Sequence, residues 1–220
     1  MPVTNEQRAT VRDKALAEIP NWYSPLGHLL FPSAVGIACI VLAIAEIRDL
    51  KPFQLLAVPL VYLIANAVEW RAHKTLLHRR TPPLQILYER HTPQHHMIFI
   101  TEDMAMRSRR EFRLVLIPFY GVISILAVTV PVAIALDLLG QRNLGALFVI
   151  TTTFYVLSYE WLHLAYHMPP TSLVGRVPGL ATLRKHHATH HDPELMQKWN
   201  FNVTVPFWDW VRGTIHHEKA

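Results

Sequence analysis

Eleven of the 14 histidines of this 220-residue chain are gathered into short motifs, and imidazole is the commonest protein ligand for zinc, iron, copper and nickel. The first motif sets His73 and His78 behind Glu69. Five residues on a regular α-helix rotate a side chain by about 140°, so these imidazoles diverge unless the helix is distorted or each serves its own metal. The second motif, His91-Thr92-Pro93-Gln94-His95-His96, lets 91 and 95 share a helical face and turns His96 about 100° away, with Pro93 disturbing the regular geometry. Adjacent ligands that point differently can serve neighbouring metals. In the third, His163 and His167 stand at i, i+4, with Glu160 one turn earlier on the same face. The fourth, His186-His187-Ala188-Thr189-His190-His191, offers 187, 190 and 191 on one face of a helix, and His186 is an alternative ligand or a capping residue.

Ten of these are candidate ligands: His73, His78, His91, His95, His96, His163, His167, His187, His190 and His191. An imidazole-only set excludes calcium or magnesium as the main metal. One structural zinc needs about four ligands, whereas ten nitrogens suffice for two ions of about five each, leaving positions open for catalysis. Glu160 is either a further ligand or, like Glu69, a carboxylate that orients an imidazole through its second N–H. His28, His216 and His217 fall outside the motifs and read as surface or interface residues.

The elements that must carry these groups are apolar. Hydrophobic residues make up 51% of the chain and charged residues 17%, and the apolar ones collect into four stretches, 31–47, 53–68, 114–139 and 144–164, with the polar motifs between them. Lipid in place of water as solvent explains that distribution. The second stretch is expected to continue through Trp70 to Leu77, and the third to kink at Pro118 and Pro131. The expected fold is therefore an all-α integral membrane protein, four transmembrane helices in two hairpins, with a histidine-rich helical cap. Residues 1–30 read as an N-terminal interfacial segment without a cleaved signal, and 31–220 as the membrane domain with its metal-binding cap. Cys39, the one cysteine, lies inside an apolar stretch and reads as a small core residue.

Four spans put both termini and the long 69–113 connection on one side. That side holds 18 of the 21 Lys and Arg residues, all but Arg48, Lys51 and Arg142, so the positive-inside rule makes it cytoplasmic. All 14 histidines and all six tryptophans fall there too. The net charge of +5 then reflects topology and lipid head groups rather than nucleic-acid binding.

The ordered series His-x4-His, His-x3-His-His, His-x3-His and His-x2-His-His resembles the fatty acid hydroxylase and sterol desaturase superfamily of membrane di-iron oxygenases. The likeness runs from about Phe31 to Thr214. It includes the closing Asn200-Phe201 and Trp208-Asp209-x-x-x-Gly213-Thr214 pattern, in which the resemblance gives Asn200 or Asp209 a supporting place behind the ligands. What it implies is a reduced iron pair that activates dioxygen and hydroxylates an unactivated C–H bond of a lipid, with zinc a possible occupant after purification. The chain leaves no room for a fused cytochrome b5 domain, so a separate electron donor such as a ferredoxin, cytochrome b5 or a reductase is expected. Arg107, Arg109, Arg110 and Arg113 are candidates for holding an anionic lipid head group.

Desaturation on the same centre is the nearest alternative, since ligand spacing does not distinguish the two outcomes. A zinc-dependent membrane hydrolase, with Glu160 or Glu69 as base, needs fewer histidines than are present. A metal transporter would keep ionisable ligands at the middle of its spans, and the middles of these spans lack them.

Overall fold

The structure, a computed structural model, describes residues 4–217. Among these described residues the ten α-helices are α1 (Asn5–Ala17), α2 (Pro25–Ala45), α3 (Ala57–Ala72), α4 (Gln85–Arg90), α5 (His96–Ile98), α6 (Phe112–Val115), α7 (Phe119–Leu138), α8 (Arg142–Tyr166), α9 (Leu180–His190) and α10 (Phe207–Val211). Two π-helical turns, His73–Leu77 and His91–His95, interrupt this series. Among the described residues there is no strand beyond one isolated bridge between Ile100 and Asp103.

The chain divides into two compact units, and α3 and α8 contribute residues to both. The first comprises residues 26–65 and 117–161. It holds α2, most of α3, α7 and most of α8, and it exposes large apolar side chains such as Leu42 (67%), Val128 (71%) and Leu138 (82%). Water would penalise such surface; hydrocarbon does not. Its helices meet through small or aromatic contacts. A methyl group on Gly36 would stand 2.9 Å from Leu157 Cδ1, and Tyr62 packs edge-on against Tyr155 at 4.9 Å. At one end Asn143 joins two turns: its Oδ1 accepts from Arg48 N at 2.9 Å, while its Nδ2 donates to Arg48 O at 2.6 Å and to Gln54 Oε1 at 3.1 Å.

Among the described residues three segments, Pro25–Ala45, Pro52–Leu77 and Phe119–Leu138, are long and apolar enough to cross a membrane. The sequence pattern calls for four. Helix α8 is long enough at 25 residues, but Asn143, Thr151, Thr152, Thr153, Ser158 and Glu160 dilute its apolar content. Buried faces take up that polarity: Thr151 and Thr153 are both buried, and Thr151 Oγ1 donates to the Leu147 carbonyl at 2.7 Å.

Two other expectations shift. The first helix starts at Pro25 rather than 31, since proline suits the first helical position, and this draws His28 inside it. His28 is 7% exposed, not a surface residue, and its Nε2–H donates to the Ile117 carbonyl at 2.9 Å. The third stretch is not one kinked helix. It breaks between α6 and α7 because Pro118 cannot continue the ladder and forces Ile117 away from helical geometry; the freed Ile117 N–H donates to Glu160 Oε1 at 3.2 Å. Cys39 is half-exposed and free rather than core.

The second unit comprises, of the described residues, 4–25, 66–116 and 162–217, so the N-terminal helix belongs with the histidine segments. Helix α1 has a capping box in which Thr4 and Gln7 satisfy each other's backbone N–H groups. It docks through Arg12, whose guanidinium pairs with Glu111 at 2.8 Å with both side chains buried and lies over the Phe99 ring at 5.1 Å. Arg8 and Arg107 converge on Asp103, each at 3.1 Å.

Candidate metal centre

The second unit brings ten buried imidazoles into two groups of five, His73, His78, His91, His96 and His190 in one, and His95, His163, His167, His187 and His191 in the other. Within each group one nitrogen from every ring lies within 4.8 Å of all the others.

Local backbone geometry sorts them. A π turn closes i→i+5 bonds, so residues five apart nearly eclipse, and the divergence expected of His73 and His78 disappears: their rings stack with centroids 5.2 Å apart. The same device operates at His91–His95, where it pairs His91 with His96 in one group, not with His95 as α-helical spacing suggests. Pro93 promotes that turn because it has no N–H for the α ladder. In the first turn Thr75 Oγ1 takes the Arg71 carbonyl at 2.6 Å, competing with the regular bond. The other group uses ordinary α spacing, His163 with His167 and His187 with His191. Each group then takes one imidazole from the opposite device, His190 and His95. The three histidines expected on one face of α9 thus converge, but His190 serves a different group from His187 and His191.

Backbone carbonyls fix the tautomers. A carbonyl only accepts, so each ring nitrogen bonded to one carries the proton: His73 Nδ1 on Phe201 O, His95 Nδ1 on Leu114 O at 3.0 Å, His167 Nδ1 on Met104 O at 2.9 Å, His190 Nδ1 on Trp199 O at 2.8 Å and His191 Nδ1 on Phe99 O at 2.6 Å. Their Nε2 atoms are therefore lone pairs. These five carbonyls carry no sequence signal, and motif reading misses them.

A sixth tautomer follows from a hydroxyl. Thr92 Oγ1 spends its proton on the Leu77 carbonyl at 2.8 Å, so at its 3.1 Å contact with His78 Nδ1 the imidazole must donate. Gln197 reaches that nitrogen only at 3.5 Å. His78 Nε2 is then a lone pair, and it faces the lone pair of His190 Nε2 at 3.0 Å. Two lone pairs this close, away from water, repel; a cation between them turns repulsion into coordination. His95 Nε2 is buried without a hydrogen-bond partner, which fits the same use. The residues present suit a pair of imidazole-preferring metal ions.

Electrostatics agree. Burial, the largest cause, pushes His95 down to about 4 against a weaker opposing effect of the Leu114 carbonyl. Burial and then neighbouring imidazoles hold His91, His96 and His187 well below the ordinary histidine value. These rings are neutral at pH 7, as metal ligation requires.

The supporting residues occupy defined places. Asp209 is fully buried and accepts from Phe201 N at 3.0 Å, Asn202 N at 2.8 Å, Thr214 Oγ1 at 2.7 Å and His186 Nε2 at 3.1 Å. Burial alone would raise its carboxyl, but the bonds outweigh it and the net direction is down. His186 thus points to Asp209 rather than into either group. Asn200, at a positive φ of 58°, donates from Nδ2 to the His186 carbonyl at 3.0 Å and accepts from His216 N at 2.8 Å. Glu69 accepts from Val203 N, Thr204 N and Thr204 Oγ1 and so braces the same loop. Trp70 is buried and donates through Nε1 to Thr214 Oγ1 at 3.0 Å. His217 is exposed.

The comparisons agree with this construction. The family model described as fatty acid hydroxylase matches residues 58–214, a span that contains all ten clustered histidines and the closing Trp208-to-Thr214 pattern. Searches of curated proteins and of solved structures returned no match. With three helices apolar enough to span a membrane and two buried imidazole cages behind one continuous family match, the chain belongs to the fatty acid hydroxylase family.

Proposed function

We propose that the chain is an O2-dependent di-iron membrane oxidoreductase that hydroxylates a C–H bond of a lipid, a fatty acyl chain, a sterol or a related molecule. The observation that carries this reading is the pair of adjacent five-imidazole groups, in which six rings have their Nε2 fixed as a lone pair. Iron held there would supply dioxygen activation and the oxidation itself. The chain's own part is to hold its imidazoles in one tautomer, to keep bulk water away by burying all ten, and to leave positions on each ion that no side chain fills.

In this reading α8 is the fourth span. Support comes from Asn143 at its start, which ties the α7–α8 turn to Arg48 and Gln54 of the α2–α3 turn, so that α8 begins where two hairpins close. In the same reading the termini and metal site lie on the cytoplasmic side, which the concentration of Lys and Arg there supports. Arg109 is the strongest candidate for a lipid head group, being exposed, whereas Arg107 is engaged by Asp103 and Arg110 by the Ile19 carbonyl. Electrons come from a separate donor, a ferredoxin, cytochrome b5 or a reductase.

The test is metal content with product mass from one purified, lipid-supplied preparation. Two irons per chain and a product heavier by one oxygen atom support hydroxylation. A product lighter by two hydrogens assigns desaturation to the same centre. Zinc together with lipid cleavage that needs no oxygen replaces both with a hydrolase.

A further inference from the structure

Two imidazoles of the His73 group lean on one loop, through Phe201 O for His73 and Trp199 O for His190. The Phe201 carbonyl shares its planar peptide with the Asn202 N–H, and that N–H donates to Asp209 Oδ2 at 2.8 Å. A buried carboxylate, one peptide unit, the His73 ring and its inward Nε2 therefore stand in series. Hydrogen bonds in a chain polarise one another. The carboxylate makes the Phe201 oxygen a stronger acceptor, which draws on the His73 Nδ1–H and leaves Nε2 more basic, as carboxylates do when they bond a metal-bound imidazole directly.

The other group lacks this arrangement. His95, His167 and His191 give their protons to Leu114, Met104 and Phe99 carbonyls. Among the described residues none of those three peptides is tied to a carboxylate through its N–H, that of Val115, Ala105 or Ile100.

We propose that Asp209 is a positioning residue that acts through the 201–202 peptide on His73, making the ion of the His73 group the more electron-rich and harder to reduce of the two. This rests on the two-metal reading above. His186 modulates the effect, because its Nε2 contacts the same carboxylate oxygen at 3.1 Å and competes with the Asn202 N–H for its charge.

The experiment uses the full chain in lipid nanodiscs, loaded anaerobically with ferrous iron. Metal content, binding affinity and the reduction potential of each ion are followed spectroscopically for wild type, Asp209→Asn and His186→Ala. In Asp209→Asn one site binds about 10- to 100-fold more weakly and its potential moves upward, while the other site keeps its potential. In His186→Ala the potential of that same ion moves downward. Should Asp209→Asn not fold, a downward shift confined to one ion in His186→Ala still carries the proposal. It is overturned if the variants shift both ions alike, shift neither, or move the one ion in the same direction. Wild type that holds fewer than two ions overturns the two-metal reading and this inference with it; two ions with unmoved potentials overturn only the role of Asp209.

Discussion

His96 and His191 stack with ring centroids 4.2 Å apart and planes 21° from parallel, although each belongs to a different five-imidazole group. The crossing arises because the neighbours His95 and His96 turn to opposite groups, as do His190 and His191. The two cages share a wall of rings, so ions held in them would be close neighbours and would depend on each other.

That dependence is measurable. His96→Ala or His191→Ala takes a ring from one cage and the packing support from the other. Iron content falls below two per chain in either variant, and the residual iron shows the magnetic signature of isolated ions. Elemental analysis with Mössbauer or electron paramagnetic resonance spectra checks this; retention of two coupled ions contradicts it.

The π turn at His91–His95 owes its form to Pro93. Pro93→Ala restores an N–H, letting this stretch wind as a regular α-helix and bringing His91 and His95 onto one face. The His73 group then loses a properly aimed ring, and one of two ions binds about 10- to 100-fold more weakly while helicity is kept or rises. Calorimetric metal titration beside circular dichroism reads both quantities.

Acid acts on the metal-free protein in a defined direction. His95 falls to about 4 in the fold from an ordinary 6.5, so between those values the unfolded chain binds the proton that the folded one refuses. Stability is therefore full above 6.5 and declines as pH falls toward 4, by roughly 1 kcal/mol per pH unit for each such histidine. Thermal unfolding of chelator-treated protein in detergent falls on going from pH 7.5 to 5.5, and bound iron is released over the same interval because protons compete for the nitrogens.

The Arg12–Glu111 pair, with side chains 4% and 1% exposed, couples the N-terminal helix to the histidine-bearing unit. Arg12→Met leaves a buried carboxylate uncompensated and costs about 3 to 5 kcal/mol. Replacing Glu111 with Gln in the same chain recovers much of that loss. Unfolding midpoints of the single and double variants decide it.

The ten histidines that cluster were legible in the chain because imidazoles packed at three-, four- and five-residue spacings have few other uses. Their partition was not. Spacing alone pairs His91 with His95, since nothing local announces a π turn except Pro93, and it keeps His187, His190 and His191 together because long-range packing, not helical phase, decides which metal a ring faces. The break at Pro118 reads from sequence only as a kink, because its stability depends on Glu160, 43 residues away, receiving the freed N–H. Helix α8 shows the limit of composition: its threonines and Glu160 make it less apolar while the fold buries or satisfies them. The five carbonyls that set the tautomers could not be read at all, since every residue has one.

The most direct measurement supplies isotopically labelled dioxygen, an electron source and lipid to the iron-loaded full chain, and determines iron per chain and product mass together. The account predicts two irons and one labelled oxygen atom in the lipid product. A single saturated ion, with no oxygen consumed while lipid is cleaved anaerobically, would contradict it.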